Sequence, residues 1–234
     1  MTSGTKLGIQ NLDYAKVPIK MDVTTAIEAA YRVHACAKEP WTVEFIEAQK
    51  PGTWFIDVGA NTGPYTLVAI VNGLNVLAIE PSVESYRALK HNLILNGLLQ
   101  MALVCAFPVW NQTGPVQFNY GDLRAGGNAH TMGTPTKANF HGEVTIGITL
   151  DDLLNMAQIA GPVAIKIDTD GYELQVLQGA EQLLASDRIT GIRIESPRIE
   201  ENARVSWLAE RGWSIAQRWD ERTDPNMQMT HIFY

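Results

Sequence analysis

Short apolar runs and longer amphipathic segments alternate along the chain, which predicts strands separated by helices. Apolar runs bounded by turn residues predict strands at 54–58, 75–80, 102–107, 163–167, 190–195, 213–219 and 229–234. Apolar residues at helical spacing predict helices at 64–72, 83–96, 172–186 and 200–211. This alternation is typical of an α/β fold, in which helices cover both faces of a mostly parallel sheet.

The last two predicted strands differ from the others because only a short segment joins them. WSIAQRW and MQMTHIFY flank the turn-like sequence DERTDPN at 220–226. Strands joined by so short a connection pair antiparallel, which predicts a C-terminal hairpin. We therefore expect a mostly parallel seven-stranded sheet that ends in an antiparallel hairpin.

The first fifty residues precede this alternation. Residues 1–21 have no clear periodicity and predict a loosely ordered arm, which could cover the site, make a dimer contact or remain exposed. Residues 22–38 and 39–52 have apolar residues at helical spacing, and Pro51-Gly52 ends the second of these segments. The expected organisation is an N-terminal arm with helices at 1–50 and a main domain at 51–234.

Residues 113–149 interrupt the alternation of strands and helices. TGPVQFNYG and EVTIGITL predict short strands on either side of a stretch rich in Gly, Thr, Asn and His. Long connections in compact domains are usually functional or disordered. We interpret 113–149 as a substrate-side insertion, with simple mobility as the alternative.

The segment WFIDVGANTGPYTLVAI at 54–70 predicts a strand, a glycine loop and a helix. A dinucleotide fingerprint has a middle glycine that lets the backbone approach a pyrophosphate, whereas Asn61 occupies that position here. Pro64 suits the first turn of a helix, whose amide groups favour an anion such as a carboxylate. Asp57 ends the first strand of this unit, and Glu80 ends the next strand, where an acid can accept both hydroxyls of a ribose.

These features predict a ligand with a ribose, a small anionic group and no pyrophosphate. S-Adenosylmethionine fits this description better than NAD. The alternative is that the two glycines only form a tight turn and that Glu80 is a solvated strand end.

Composition narrows the classes of partner and the cellular setting. The 234-residue chain has a formal net charge of −7, which argues against a protein that mainly binds nucleic acid through its phosphates. Two cysteines do not form a disulfide framework or a zinc site, so we expect a reduced, cytoplasmic setting. No apolar stretch reaches the roughly 18 residues of a membrane span, and the polar start is not typical of a signal peptide.

Four motifs, in this order, resemble those of the FkbM-type methyltransferases: FIDVGANTGPYT, LAIEPS, ITLDDLL and IKIDTDGYELQVLQGA. The resemblance extends from about Glu44 to about Ser196, and the last motif is its most specific part. It implies a Rossmann-like class I methyltransferase fold. It also implies methyl transfer from S-adenosylmethionine, commonly to a hydroxyl of a sugar, polysaccharide or polyketide-like acceptor.

The resemblance also implies roles for individual residues. Glu80 would hold the ribose, and Asp168 would lie at the end of the fourth strand beside the methionine part of the cofactor. The cofactor loop would be formed by Asp57, Gly59, Asn61 and Gly63. The family pattern at this motif is Lys-Ile-Asp-Val-Glu-Gly. This chain has Thr-Asp at positions 169–170 in place of Val-Glu, so a role for Asp170 does not carry over directly.

The acids at the ends of the predicted strands are candidates for catalysis. Asp168 and Glu195 end two strands whose carboxyl ends should face the ligand crevice. Two carboxylates there could bind Mg²⁺, which prefers oxygen ligands and could acidify an acceptor hydroxyl. The IDTDGYE stretch also resembles the metal-binding block of TylF-type sugar methyltransferases. Asp170 and Glu173 instead predict a capping box for the following helix.

An aliphatic hydroxyl is a poor nucleophile until its proton is removed, so a general base or a metal is expected. His130, in the long insertion, is our histidine candidate because its side chain titrates near neutrality. Together with Asp168 and Glu195 it completes the set of catalytic candidates. Tyr65 could contact the cofactor's carboxylate or pack in the core, and Asn111 could hydrogen-bond adenine or begin a turn.

The leading hypothesis is an S-adenosylmethionine-dependent O-methyltransferase that acts on a small molecule or glycan. A nucleic-acid amino-methyltransferase would normally have an Asn/Asp-Pro-Pro-aromatic stretch where Asp-Thr-Asp-Gly stands here. A nicotinamide dehydrogenase is disfavoured by Asn61. A non-catalytic or N-methylating protein of the same fold remains as an alternative, and a homodimer is left open.

Overall fold

The computed structural model describes residues 7–134, 141–197, 201–221 and 229–233. Contacts within the chain divide it into two units. The first unit contains Met1–Ala106 and Asp122–Asn128, and the second contains Phe107–Gly121 and Ala129–Tyr234. No helix among the described residues is long and apolar enough to cross a membrane.

The first unit begins with a hairpin where a loosely ordered arm was predicted. Strands β1 (Gly8–Asn11) and β2 (Lys20–Val23) pair antiparallel, and Ile19 and Met21 are each only 1% exposed. The carboxamide of Asn92 also accepts the backbone N–H of Asp22, at 2.8 Å. The prediction was wrong for the described residues 7–21 because strands of four residues are too short to establish an alternating pattern.

The helices predicted at 22–38 and 39–52 are shorter and more broken than expected. A π-helical turn covers Glu28–Arg32, and α1 covers only Ala35–Lys38. Helix α2 covers Pro40–Glu47, with Pro40 in its first turn, where the missing N–H costs no hydrogen bond.

A parallel sheet forms the core of the first unit. Strands β3 (Trp54–Val58), β4 (Asn75–Ile79) and β5 (Ala102–Cys105) pair in that order. Helix α3 (Pro64–Val71) follows β3, and α4 (Val83–Leu95) follows β4. The parallel pairing confirms the predicted α/β class, and the predicted bounds of these elements are correct to within two residues.

The second unit contains the insertion, which forms a small antiparallel sheet. Strand β6 (Gly114–Tyr120) lies between β7 (Thr131–Met132) and β8 (His141–Gly147). Helix α5 (Leu150–Met156) follows, with the hydroxyl of Thr149 accepting the N–H of Asp152 as its N-cap. Residues 135–140 of the insertion lie outside the described residues.

Another group of strands in this unit combines parallel and antiparallel pairs. Strands β9 (Val163–Ile167) and β10 (Ile189–Pro197) are parallel. Strand β11 (Gln217–Glu221) pairs antiparallel with β12 (Met229–Phe233), which in turn pairs antiparallel with β10. The turn predicted at 220–226 falls largely outside the described residues.

The helix predicted at 172–186 is divided into α6 (Glu173–Gln178) and α7 (Glu181–Leu184), and α8 covers Glu201–Ala209. A Cβ on Gly179 would lie 2.2 Å from the carbonyl oxygen of Trp110, so the backbone of the break packs against another segment. The carboxylate of Asp151 then accepts the N–H groups of Gln182 and Leu183. This side chain satisfies amides at the start of α7 that a continuous helix would have paired internally.

A buried ion pair joins α6 to α8. Glu173 and Arg204 are each about 2% exposed, and one carboxylate oxygen of Glu173 accepts the guanidinium of Arg204. The other oxygen accepts the N–H groups of Thr169 and Gly171 and the Thr169 hydroxyl, at 3.0–3.1 Å. Glu173 therefore holds both α8 and the turn that follows β9.

Replacing Glu173 by Gln should reduce the free energy of unfolding by about 3–5 kcal/mol, because the guanidinium of Arg204 stays buried without its carboxylate. Glu181→Gln is the matched control, since Glu181 and Arg211 form an exposed pair and its loss should cost less than about 1 kcal/mol. Urea unfolding measures both. Equal losses would contradict the assignment of the buried pair.

A prediction also follows for Gly63, which has φ of +92° and precedes α3. A Cβ there would lie 2.4 Å from Cδ1 of the buried Leu89, whereas a Cβ on Gly52, at φ of +86°, would meet nothing within 4 Å. Both Ala variants incur roughly 1–2 kcal/mol for a left-handed backbone. Because of overpacking, we expect Gly63→Ala to lower the free energy of unfolding by at least about 1 kcal/mol more than Gly52→Ala does, as measured by thermal unfolding. An equal cost would mean that Leu89 moves aside without strain.

Candidate functional site

The glycine loop after β3 satisfies its backbone donors within the protein. The N–H groups of Gly59 and Ala60 both donate to the carbonyl of Ile79, at 3.0 Å. The N–H of Thr62 donates to the Asn61 side chain, and the N–H of Gly63 donates to the carbonyl of Ala60, each at 2.9 Å. A phosphate cradle needs several backbone N–H groups that point at the ligand. This loop does not provide them at 59–63.

The remaining donor of the loop, the N–H of Asn61, donates to Glu80 Oε2 at 2.8 Å. Glu80 Oε1 accepts the N–H of Ser82, also at 2.8 Å, and Glu80 is only 4% exposed. A carboxylate oxygen can accept more than one hydrogen bond, so these contacts orient Glu80 without excluding hydroxyl donors. The predicted ribose ligand is therefore compatible with the geometry of this side chain.

Asp57 lies fully buried at the end of β3, where its Oδ2 accepts the hydroxyl of Thr66 at 2.7 Å. Tyr65 is also buried, and its hydroxyl donates to the carbonyl of Ala35 at 2.9 Å. This contact favours the packing interpretation of Tyr65. Asp57 and Glu80 thus place two buried carboxylates beside the glycine loop.

In the second unit, two acids are paired with buried cations. Lys166 Nζ lies 3.3 Å from Asp168 Oδ2, and a guanidinium nitrogen of Arg193 lies 3.5 Å from Glu195 Oε2. Lys166 and Arg193 are at most 1% exposed and face each other in the parallel register of β9 and β10. Glu195 lies within β10, which continues to Pro197, so the prediction that it ends its strand was wrong.

Asp170 does not cap α6, so the predicted capping box was wrong. The N-cap position is Tyr172, and Glu173 itself binds back to the turn. Asp170 has φ of +56°, a conformation that side chains other than Gly, Asn and Asp rarely adopt. Its Oδ2 accepts the N–H of His130 at 3.4 Å. Desolvation by the surrounding protein, followed by repulsion from Asp168, raises the pKa of Asp170 to about 6, and part of the side chain is still exposed to solvent.

His130 packs among aromatic rings. Its ring centroid lies 5.4 Å from that of Phe118 and 5.6 Å from that of Tyr120, and both ring nitrogens are buried. This placement favours a structural role for the His130 side chain. Asn111 is exposed, and its amide lies 3.4 Å from the side-chain oxygen of Gln178.

An aromatic surface adjoins Asp170 along the chain. Tyr172 lies 5.6 Å from Trp110 between ring centroids, and its hydroxyl reaches the carbonyl of Met132 at 3.5 Å.

Among the described residues, no group of three His, Cys, Asp or Glu side chains comes close enough to hold a metal ion. The predicted magnesium site at Asp168 and Glu195 therefore gains no third ligand of these types in that part of the chain.

Sequence reasoning missed Asp170 as a candidate and assigned it to a helix cap. The D-x-x-E spacing resembled a capping box, but the left-handed backbone at Asp170 is not visible in a pattern of residue types. The departure from the family pattern at positions 169–170 was the one signal that could have drawn attention to it.

Comparison with known proteins identifies the family. The model described as "Methyltransferase FkbM domain" matches residues 57–215, which is more than half of the chain. A curated relative, the hexuronic acid methyltransferase AglP of Haloferax volcanii, is 26% identical over 141 residues. That match covers 60% of this chain and 55% of AglP, so the chain spans about half the length of this relative.

Solved structures share the fold at low sequence identity. TrmK of M. capricolum, in complex with S-adenosyl-homocysteine, has a TM-score of 0.51 at 11% identity and covers 82% of this chain and 66% of its own. An rRNA methylase from Streptococcus thermophilus has a TM-score of 0.52 at 11% identity, covering 82% and 92%. With the fold, the glycine loop and the family match in agreement, the chain belongs to the FkbM methyltransferase family, whose members use S-adenosylmethionine as the methyl donor.

Proposed function

We propose that this protein transfers a methyl group from S-adenosylmethionine to a hydroxyl of a sugar or a sugar-containing acceptor. The observation that carries the proposal is the acceptor-rich loop, in which the N–H groups of 59–63 are used internally while Asp57 and Glu80 present carboxylates. AglP, a relative that acts on hexuronic acid, supports the choice of a sugar hydroxyl.

Within the first unit, Glu80 would accept the ribose hydroxyls, and Asp57 would supply negative charge near the positively charged end of the cofactor. The glycine loop, through Gly59, Asn61 and Gly63, would line the cofactor. When bound, S-adenosylmethionine supplies an electrophilic methyl group on a sulfonium. The protein's part is to orient the acceptor oxygen and to manage its proton.

Within the second unit, we propose that Asp170 accepts the proton of the acceptor hydroxyl. Asp168 lies 3.3 Å from the buried Lys166, while Asp170 has a raised pKa and is reached by solvent. Neighbouring carboxylates in different surroundings are a common arrangement for acid–base chemistry. The N–H of His130 orients the Asp170 carboxylate, so His130 contributes through its backbone. Asn111 and Glu195 have no assigned step in this proposal.

The flanks of the insertion, 113–121 and 129–134, remain our proposal for the acceptor side. They carry the aromatic residues Phe118 and Tyr120 in the same unit as Asp170. Ligand sites are commonly lined by apolar and aromatic side chains with a few placed polar groups. Residues 51–234 remain our proposal for the extent of the methyltransferase domain.

Calorimetric titration with S-adenosylmethionine, with NAD as the control ligand, tests the cofactor. We expect micromolar binding, and Glu80→Gln should raise the Kd more than about tenfold, because the amide would turn a donor toward the N–H of Asn61 or Ser82. Glu84→Gln, on the exposed face of α4, is the matched control and should leave the Kd unchanged. Tight binding of NAD instead would refute the cofactor assignment.

Methyl transfer to a panel of free hexuronic acids, glycans and amino sugars tests the acceptor. Incorporation of a labelled methyl group as an ether supports O-methylation. Incorporation only at nitrogen would favour the N-methylating alternative, and cofactor binding without turnover on any panel member would favour a non-catalytic role.

The pH profile of kcat tests Asp170. A base must be deprotonated to act, so kcat should rise with pH through about 6 and then level off. Asp170→Asn should lower kcat by roughly 10²–10⁴-fold and abolish the rise of kcat with pH. Asp170→Glu should retain part of the activity and of this pH dependence.

Stability provides the control for the Asp170 variants. The raised pKa of a carboxylic acid means that its charged form is disfavoured in the folded state, so this group lowers stability as pH rises from about 4 to about 6. Asp170→Asn should therefore be at least as stable as the parent protein at pH 7.5, by melting temperature. An inactive variant that is also less stable would indicate a structural role for Asp170.

A further inference from the structure

The segment Asp122–Asn128, here called the strap, belongs to the first unit although both of its flanks belong to the second. Its sequence, DLRAGGN, lies in the middle of the insertion at 113–149 that was predicted to serve substrate recognition. Ala125, Gly126 and Gly127 are all buried. The strap is therefore packed against the same unit that carries the glycine loop and Glu80.

Side chains from four separate places in the first unit bind the strap backbone. Thr25 donates to the carbonyl of Ala125 at 2.9 Å, and Arg32 donates to the carbonyl of Gly126 at 2.7 Å. The Ser85 hydroxyl, in the first turn of α4, accepts the N–H of Gly126 at 3.3 Å. The carboxamide of Asn61 donates to the carbonyl of Gly127 at 2.9 Å. So many backbone contacts in three residues fix the position of the strap.

Close packing also requires the two glycines. Gly126 has φ of +81°, and a Cβ there would lie 2.9 Å from Cγ of the buried Glu28. A Cβ on Gly127 would lie 2.9 Å from the carbonyl oxygen of Arg124. Glu28 in turn accepts the N–H groups of Thr24 and Thr25 at 2.9 Å, which orients Thr25 toward the strap.

Asn61 connects the strap to the predicted ribose acid. Its backbone N–H donates to Glu80 Oε2, and its side chain donates to Gly127, so one residue contacts both. Asn61 has φ of +51°, and Asn is one of the few residues that adopt this conformation with a side chain able to donate. The residue that occupies the middle position of the glycine loop thus has a second role that a glycine could not perform.

We propose that the strap is a wall of the cofactor site at its adenosine end, and that Asn61 is the residue that positions it. This inference rests on the proposed binding of S-adenosylmethionine. It assigns the centre of the insertion to the cofactor and only the flanks to the acceptor. Because coupling between two equilibria is reciprocal, bound cofactor should stabilise the strap, and loosening the strap should weaken cofactor binding by the same factor.

Asn61→Asp tests the proposal with little change in size. Asp tolerates the left-handed backbone and keeps an oxygen for the N–H of Thr62, but it turns an acceptor toward the carbonyl of Gly127. Asn72→Asp is the matched control, because the Asn72 amide also donates to a backbone carbonyl, that of Val68, at the end of α3. Asn61→Gly keeps the backbone conformation and serves as a second variant if Asn61→Asp does not fold.

Three measurements are needed: hydrogen exchange of the strap amides without ligand, the Kd for S-adenosylmethionine, and KM for cofactor and acceptor separately. We expect Asn61→Asp to exchange its strap amides about tenfold faster and to bind the cofactor about tenfold more weakly. The acceptor KM should stay within about twofold, and Asn72→Asp should change neither strap exchange nor Kd. In the parent protein, S-adenosylmethionine should slow strap exchange.

Two results would overturn the proposal while leaving the cofactor assignment intact. In the first, hydrogen exchange of the strap amides is unchanged in Asn61→Asp. In the second, exchange is faster, but the Kd for S-adenosylmethionine is unaltered or the KM for the acceptor changes. If the parent protein does not bind S-adenosylmethionine, the proposed function itself fails, and the strap's role toward that cofactor fails with it. Exchange in the ligand-free variants still reports whether Asn61 holds the strap in that case.

Discussion

The carboxylate of Glu80 is the contact on which the candidate cofactor site depends. One of its oxygens accepts the N–H of Asn61 from the turn after β3, and the other accepts the N–H of Ser82 from the turn after β4. A single buried side chain thus joins two strand-to-helix turns, and charge-assisted bonds to backbone N–H groups are stronger than neutral ones. Asn61 extends this connection to the strap, so the loop, the acid and the strap form one hydrogen-bonded set.

The second unit uses charge differently. Two of its buried cations, Lys166 and Arg193, lie opposite each other in the register of β9 and β10, and each is paired with an acid two residues further along the chain. Burial of such charges is tolerated because each has a partner. Asp170 follows this arrangement, and desolvation by the surrounding protein, followed by repulsion from Asp168, raises its pKa to about 6. Two acids that are close in sequence therefore have different surroundings, one beside a buried lysine and one with a raised pKa.

Much of the fold could be predicted because strands such as β3 and β9 are buried along nearly their whole length and bounded by turn residues. The positions of the glycine loop and its acids could be predicted for the same reason, because they directly follow or end these strands in the sequence. The first hairpin, the division of the helix at Gly179 and the orientation of Asp170 were missed. Each depends on contacts between residues distant in sequence, such as Gly179 with Trp110, or on a backbone conformation that residue types do not reveal.

The internally bonded glycine loop also has a kinetic consequence. Because all five N–H groups from Gly59 to Gly63 already have partners, the loop holds its shape before any ligand arrives. Binding then requires little ordering of the loop, and ordering is a major cost of association. For a preformed site, the encounter rate is limited by diffusion and orientation rather than by a folding step. Differences in affinity among cofactor analogues should accordingly appear in how long each stays bound.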